Sequence, residues 1–309
     1  MAVSARRPSL AGLAWAFLAT ALGGTVGVSA KWLLQYRTGP LAVTALRAGL
    51  AVAILGLGLL VWRRSALRVS LRHLPFFALF GLVGVAVVYL LYILAVLSVG
   101  ATLATALFYT YPTTATILAA LFLREPLTWR KALPLPVTFA GCALAAGLLD
   151  GGQVEWRPLG IAIGVAAGTV YAVYPLLARY AMARYGHWTV LFYSLSFGAL
   201  WLNLLWAILG SFLPADGQFL GTLPALAWEN STFWAALLYL AIGATVGMYL
   251  AQLQALRRLE VRQFGLIGTL EPFIAGLLAY LLFGEQLTLL QWLGAALILS
   301  VVLWLRLGK

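Results

Sequence analysis

Apolar residues run along this chain in windows of about 20, separated by short polar connections: 11–34, 41–62, 74–97, 101–123, 132–149, 159–182, 189–211, 233–256, 261–283 and 290–307. Each window is long enough to cross a bilayer core as a helix and too long for an outer-membrane strand of ~9–11 residues. A backbone in lipid has to satisfy its own hydrogen bonds, so the pattern predicts an all-α integral membrane protein with ten transmembrane helices. The longest breaks are 63–73, 150–158 and 212–232. The first is basic, and the other two are rich in Gly, Pro and acidic residues.

The pattern also repeats. Pro112 and Glu125 recur as Pro272 and Glu285, an offset of 160 residues, and Tyr89, Leu90, Ala95, Leu121, Leu127 and Thr128 recur in the same register as Tyr249, Leu250, Ala255, Leu281, Leu287 and Thr288. A weaker echo at an offset of 148 sets Gly12, Gly27 and Lys31 against Gly160, Pro175 and Arg179, which puts span 1 opposite span 6. The chain therefore divides into two five-span repeats, 1–150 and 151–309. Five is odd, so the second repeat enters the membrane from the opposite side and runs inverted. Inverted repeats around a central cavity give a pseudo-two-fold axis in the membrane plane and a route to alternating access. The fifth spans align poorly, because the first repeat carries about seven extra residues around 129–135.

Charge settles the expected orientation. With the N-terminal Arg6 and Arg7 inside, sixteen of the twenty Lys and Arg residues fall in inner connections, whereas the outer loops hold only Arg37 and Arg157. This positive-inside bias predicts both termini in the cytoplasm and accounts for the net charge of +12 without nucleic acid. Hydrophobic residues make up 63% and charged residues 9% of the chain. The single cysteine, Cys142, excludes an internal disulfide and a cysteine metal cage, and His73 and His187 lie in polar connections. No cofactor or metal is called for. A signal-peptide reading of span 1, with Arg6 and Arg7 ahead and Val28-Ser29-Ala30 as a cleavage site, competes with retention. The echo at 160–179 favours retention.

Three ionisable residues sit inside spans: Lys31, Arg47 and Glu271. A charge at mid-bilayer costs about 2.5–3.5 kcal/mol on the lenient insertion scale, so such residues face a cavity or each other. For Lys31 and Arg47 the competing reading is a side chain reaching out to the outer interface. Glu271 lies deepest, and its competing reading is a neutral carboxyl in a packed bundle. Pro112, Pro175 and Pro272 interrupt spans 4, 6 and 9, each removing a backbone donor, so they are read as kinks or hinges. Tyr89 and Tyr92 share a face of span 3, Tyr171 and Tyr174 share a face of span 6, and Tyr109 and Tyr111 precede the Pro112 kink. By the repeat, Tyr89 maps to Tyr249, Tyr92 to Gln252 and Tyr111 to Glu271. A buried phenol needs a polar partner, so these residues, with Trp15 of span 1, are the candidate lining of a substrate cavity. Trp32, Trp62, Trp188, Trp228, Trp234 and Trp304 fit an interfacial belt instead. Glycines four apart (Gly160, Gly164 and Gly168; Gly243 and Gly247; Gly23 and Gly27) suit close helix packing.

The stretches YPTTATILAALFLREPLT (111–128) and EPFIAGLLAYLLFGEQLT (271–288), followed by Gly294, resemble the drug/metabolite transporter superfamily, in its ten-helix bacterial exporter branch with two EamA-type units. Arg47, with Pro40 ahead of it, looks like that family's span 2 arginine. The resemblance implies an inner-membrane exporter of small metabolites, coupled to a proton or other gradient, with spans 1, 3, 4, 6, 8 and 9 around the cavity. The tyrosines make it look closest to the aromatic amino-acid exporters. An enzyme would need a nucleophile–base pair or paired acids within the spans, and neither occurs. A channel would favour an uninterrupted polar pore over paired kinks. A nucleotide- or sugar-linked or drug-like substrate is the alternative within carriers, although a nucleotide would call for several cavity cations. The expected partners are a small-molecule substrate and the lipid bilayer, with no nucleic acid. A monomer would suffice.

Overall fold

The computed structural model describes residues 9–34, 36, 38–122, 134–145, 148–149, 157–212, 229–284 and 288–307. These residues are helical apart from turns and short connections. Glu125, Glu285, Lys131 and most of the 212–232 connection lie outside the described residues. Six helical stretches are long and apolar enough to cross a membrane: Pro40–Trp62, Leu71–Val99, Pro158–Met182, His187–Leu209, Ser231–Leu256 and Val261–Leu282. Shorter apolar helical segments cover Leu10–Val26, Leu135–Ala145 and Leu289–Val301. Large apolar side chains stand out from the surface in groups, among them Leu60, Val61 and Trp62, and Leu281 with Leu282. Water would penalise such a surface, and lipid does not.

Prolines open several of these helices. Pro40, Pro158 and Pro272 sit in the first turn, where the missing N–H has no intrahelical partner to lose. The helical segment Val88–Phe108 folds back on itself. The hydroxyls of Tyr92 and Thr105 are 2.9 Å apart, whereas a straight helix would hold residues thirteen apart at about 20 Å. The reversal agrees with the boundary expected between the third and fourth apolar windows.

Two irregularities recur at the 160-residue offset. Leu82–Val87 and Ile242–Gly247 are π-helical turns within otherwise α-helical spans. In the second, Thr245 Oγ1 donates to the Leu240 carbonyl at 2.8 Å, taking up an acceptor in the widened turn. The helix also breaks at 109–110 and again at 269–270, just ahead of Tyr111–Phe122 and Glu271–Phe283. Pro112 and Pro272 follow directly and explain both breaks.

Packing keeps the same symmetry. The Leu10–Leu34 helix packs on Met248–Leu256, Val261–Gly268 and Glu271–Phe283, and its counterpart Pro158–Tyr171 packs on Val88–Phe108 and Tyr111–Phe122. Pro40–Trp62 lies against His187–Phe212, and Pro134–Ala145 against Leu289–Leu307. Close approach depends on glycine at Gly168, where a Cβ would stand 2.5 Å from the Phe108 carbonyl oxygen. That carbonyl is the one Pro112 leaves without its i+4 donor.

At one end of the bundle, three connections predicted to be cytoplasmic are tied together. His73 Nε2 meets Arg184 at 3.0 Å and His73 Nδ1 meets Tyr185 at 2.7 Å. Tyr193 donates to the Leu67 carbonyl at 2.8 Å, and Arg179 donates to the Leu259 carbonyl.

Candidate functional site

The helix breaks bring the interior aromatic residues into one layer between the two halves. Tyr109 opens the first break and Tyr111 begins the next helix; both are buried. Between them and the Pro158–Tyr171 helix stands Phe108, with ring centroids 5.4 Å from Tyr92, 5.9 Å from Tyr109, 5.8 Å from Tyr111 and 5.1 Å from Tyr171. Tyr111 and Tyr171 meet edge to face at 5.0 Å, a favoured aromatic geometry. Tyr111 Oη donates across the halves to the Gly265 carbonyl at 3.2 Å, and Gly268 leaves room for that hydroxyl.

Glu271 comes to the same layer from the second half. It is the first residue of its helix, where free backbone N–H groups favour a negative charge. Its carboxyl faces Gly23 of the first span, where a Cβ would sit 2.9 Å from Cδ. Tyr109, Tyr92, Tyr111, Tyr171 and Cys142 lie within electrostatic reach of it. Glu271 and its repeat counterpart Tyr111 therefore belong to one cluster.

A second group adjoins the first through Tyr171. Tyr174 is fully buried, with its ring 4.9 Å from Phe80 and 5.1 Å from Tyr249. The guanidinium of Arg47 stands over the Tyr89 ring, 4.6 Å from the centroid, and Arg47 is only 4% exposed. Gln252, one turn beyond Tyr249, is buried, and its Nε2 has no hydrogen-bond partner; the Tyr174 hydroxyl has none either. The helix carrying Tyr171 and Tyr174 breaks at Ala172, three residues before the buried Pro175.

The remaining candidates are placed differently. Trp15 is half-buried against the main core and makes no ring contact with the tyrosine layer among the described residues. Lys31 belongs to the Leu10–Leu34 helix, and its side chain lies outside the described part of the structure. Pro112 and Pro272 are buried at the two breaks. Phe108 and Gly23 escaped sequence reasoning. Phe108 has no polar handle to mark it, and its place just before a kink was the only clue. Gly23 reads as packing spacing until its neighbour is known. Among the described residues no three His, Cys, Asp or Glu side chains cluster to hold a metal.

A solved crystal structure of another protein superposes on this one with a TM-score of 0.78 over 96% of both chains at 20% identity, a likeness of fold alone. Among curated proteins, an uncharacterised transporter of Archaeoglobus fulgidus is 31% identical over 47% of this chain and 46% of its own length. An uncharacterised transporter of Synechocystis is 28% identical over 63% of this chain and 56% of its own. The matched region thus spans about half the length of these two relatives. A probable terminal-alkyne amino-acid exporter of Streptantibioticus cattleyicolor is 29% identical over 80% of this chain and 78% of its own. The EamA-like transporter family model matches twice, over residues 10–147 and 158–307, one match for each half. The chain belongs to the EamA-like transporter family and is a multi-pass membrane transporter built from two EamA units.

Proposed function

We propose that this transporter exports small amphipathic metabolites across the inner membrane, chiefly amino acids with aromatic or apolar side chains. Alternating access would operate between two inverted five-span repeats, 1–150 and 151–309, with both termini cytoplasmic. The observation that carries this reading is the position of Glu271, a carboxylate of the second half set among Tyr109 and Tyr111 of the first half and Tyr171 of its own. A carboxylate complements an ammonium group, and ring-on-ring contacts add roughly 0.5–1.5 kcal/mol each beyond area burial. The name of the Streptantibioticus relative, a probable terminal-alkyne amino-acid exporter, points the same way. The paired breaks at 109–110 and 269–270 supply matching hinges on either side of the site. A nucleotide-linked substrate is disfavoured, because its phosphates would call for several interior cations and Arg47 is the one buried cation among the described residues.

The test is uptake and exchange in proteoliposomes with labelled amino acids, comparing the unaltered protein with Glu271→Gln. If Glu271 anchors the ammonium group, Glu271→Gln abolishes both gradient-driven transport and counterflow exchange. If it carries the coupling proton, only gradient-driven transport is lost. Normal behaviour of Glu271→Gln in both assays removes Glu271 from the site, and no exchange of any amino acid by the unaltered protein removes the substrate class.

A further inference from the structure

We propose that Arg47 anchors a carboxylate on the transported solute, so that the site recognises a zwitterion at both ends. The inference rests on the amino-acid reading above and adds the second anchor. Arg47 is 4% exposed, and its recorded partner is the Tyr89 ring. Among the described residues no carboxylate pairs with it and no hydrogen-bond acceptor meets it. A guanidinium carries five donors, and the aromatic face beneath it engages none of them as an acceptor would. A ligand carboxylate would complete the site in the planar, two-pronged geometry that guanidinium favours.

The surroundings of Arg47 point to the same ligand. Tyr249 is within electrostatic reach of it. Gln252 follows Tyr249 by one helical turn, and the Tyr174 ring packs on Tyr249. The buried Gln252 side chain lies beside Tyr171 and the Tyr174 hydroxyl beside Ser194, and both can donate. The guanidinium, the Gln252 amide and the Tyr174 hydroxyl around one aromatic pair present donors that complement an anion with several lone pairs. Glu271 lies beyond Tyr171, which is within electrostatic reach of both Glu271 and Tyr89. Among the described residues no ion pair joins Arg47 to Glu271. An aromatic amino acid could turn its ammonium toward Glu271 and its carboxylate toward Arg47, with its ring among the tyrosines.

The experiment measures binding to the purified full-length protein by fluorescence titration, using phenyl solutes that differ in their charged groups. Phenylalanine is compared with phenethylamine, and 3-phenylpropionate with 3-phenylpropanol. The unaltered protein is expected to prefer the carboxylate in each pair by about tenfold or more, the scale of one charge-assisted hydrogen bond. Arg47→Gln should bring both ratios close to one. Arg47→Lys keeps the charge without the planar fork and should lower them part of the way, which gives a reading even if Arg47→Gln is not monodisperse. Ratios near one in the unaltered protein, or ratios that neither Arg47 variant moves, overturn the proposal, even if amino acids are exchanged. A phenylpropionate preference that depends on Arg47 in a protein that ignores phenylalanine upholds Arg47 and rejects the amino-acid reading.

Discussion

The carboxyl of Glu271 has its room because position 23 carries no side chain: a Cβ there would stand 2.9 Å from Cδ and 3.0–3.1 Å from the two oxygens. The obstructed atoms are the far end of a flexible side chain, so Gly23→Ala can fold by turning the carboxylate aside. Alanine also favours a helix over glycine by roughly 0.5–1 kcal/mol. Gly23→Ala should therefore melt at or above the unaltered protein in detergent, while counterflow exchange falls by about tenfold, as for one misplaced charged hydrogen bond. Exchange at the unaltered rate would show that the carboxyl does not need its present place. At this scale the sequence could be read only where a residue carried a polar signal. Glu271, Arg47 and the tyrosines announce themselves, because a charge or phenol in an apolar window demands a partner. Phe108 and Gly23 do not, since their roles depend on which neighbour the fold brings up.

Helix irregularities divide along similar lines. The breaks at 109–110 and 269–270 were legible because Pro112 and Pro272 act locally, through a missing N–H. The π turns at Leu82–Val87 and Ile242–Gly247 were not, since an apolar run reads the same whether its carbonyls are bonded four or five residues on. Close packing of the Pro158–Tyr171 helix was expected from its glycine spacing, but which glycine mattered most was not. Gly160 and Gly164 face side chains, whereas Gly168 faces the backbone oxygen of Phe108 at 2.5 Å, which cannot rotate away. Gly168→Ala should cost about 1–3 kcal/mol through overpacking. Gly58→Ala, with nothing within 4 Å of its Cβ, should be neutral or slightly stabilising. Equal melting temperatures for the two variants in detergent would disprove the close approach.

For the whole molecule, the expected orientation makes a sharp prediction. Cys142 is buried, so Cys142→Ser gives a background for labelling. In intact cells an impermeant maleimide should modify Glu229→Cys, in the 212–232 connection, and should spare Ser65→Cys until the membrane is opened. The reverse pattern would invert the topology and put the end tied by His73, Arg184 and Tyr185 outside. The division into two units was plain from sequence, because the 160-residue register survives in Tyr89 and Tyr249 and in Pro112 and Pro272. How the units embrace was not, because contacts between the first span and the end of the second unit join residues some 250 positions apart, such as Gly23 and Glu271. The matched π turns also carry a chronology. A π turn arises when one residue is inserted into an α-helix. Two such insertions at corresponding places in both units are most simply one event, older than the duplication. A half-length ancestor that carried the widened turn before duplication would account for both copies with a single insertion.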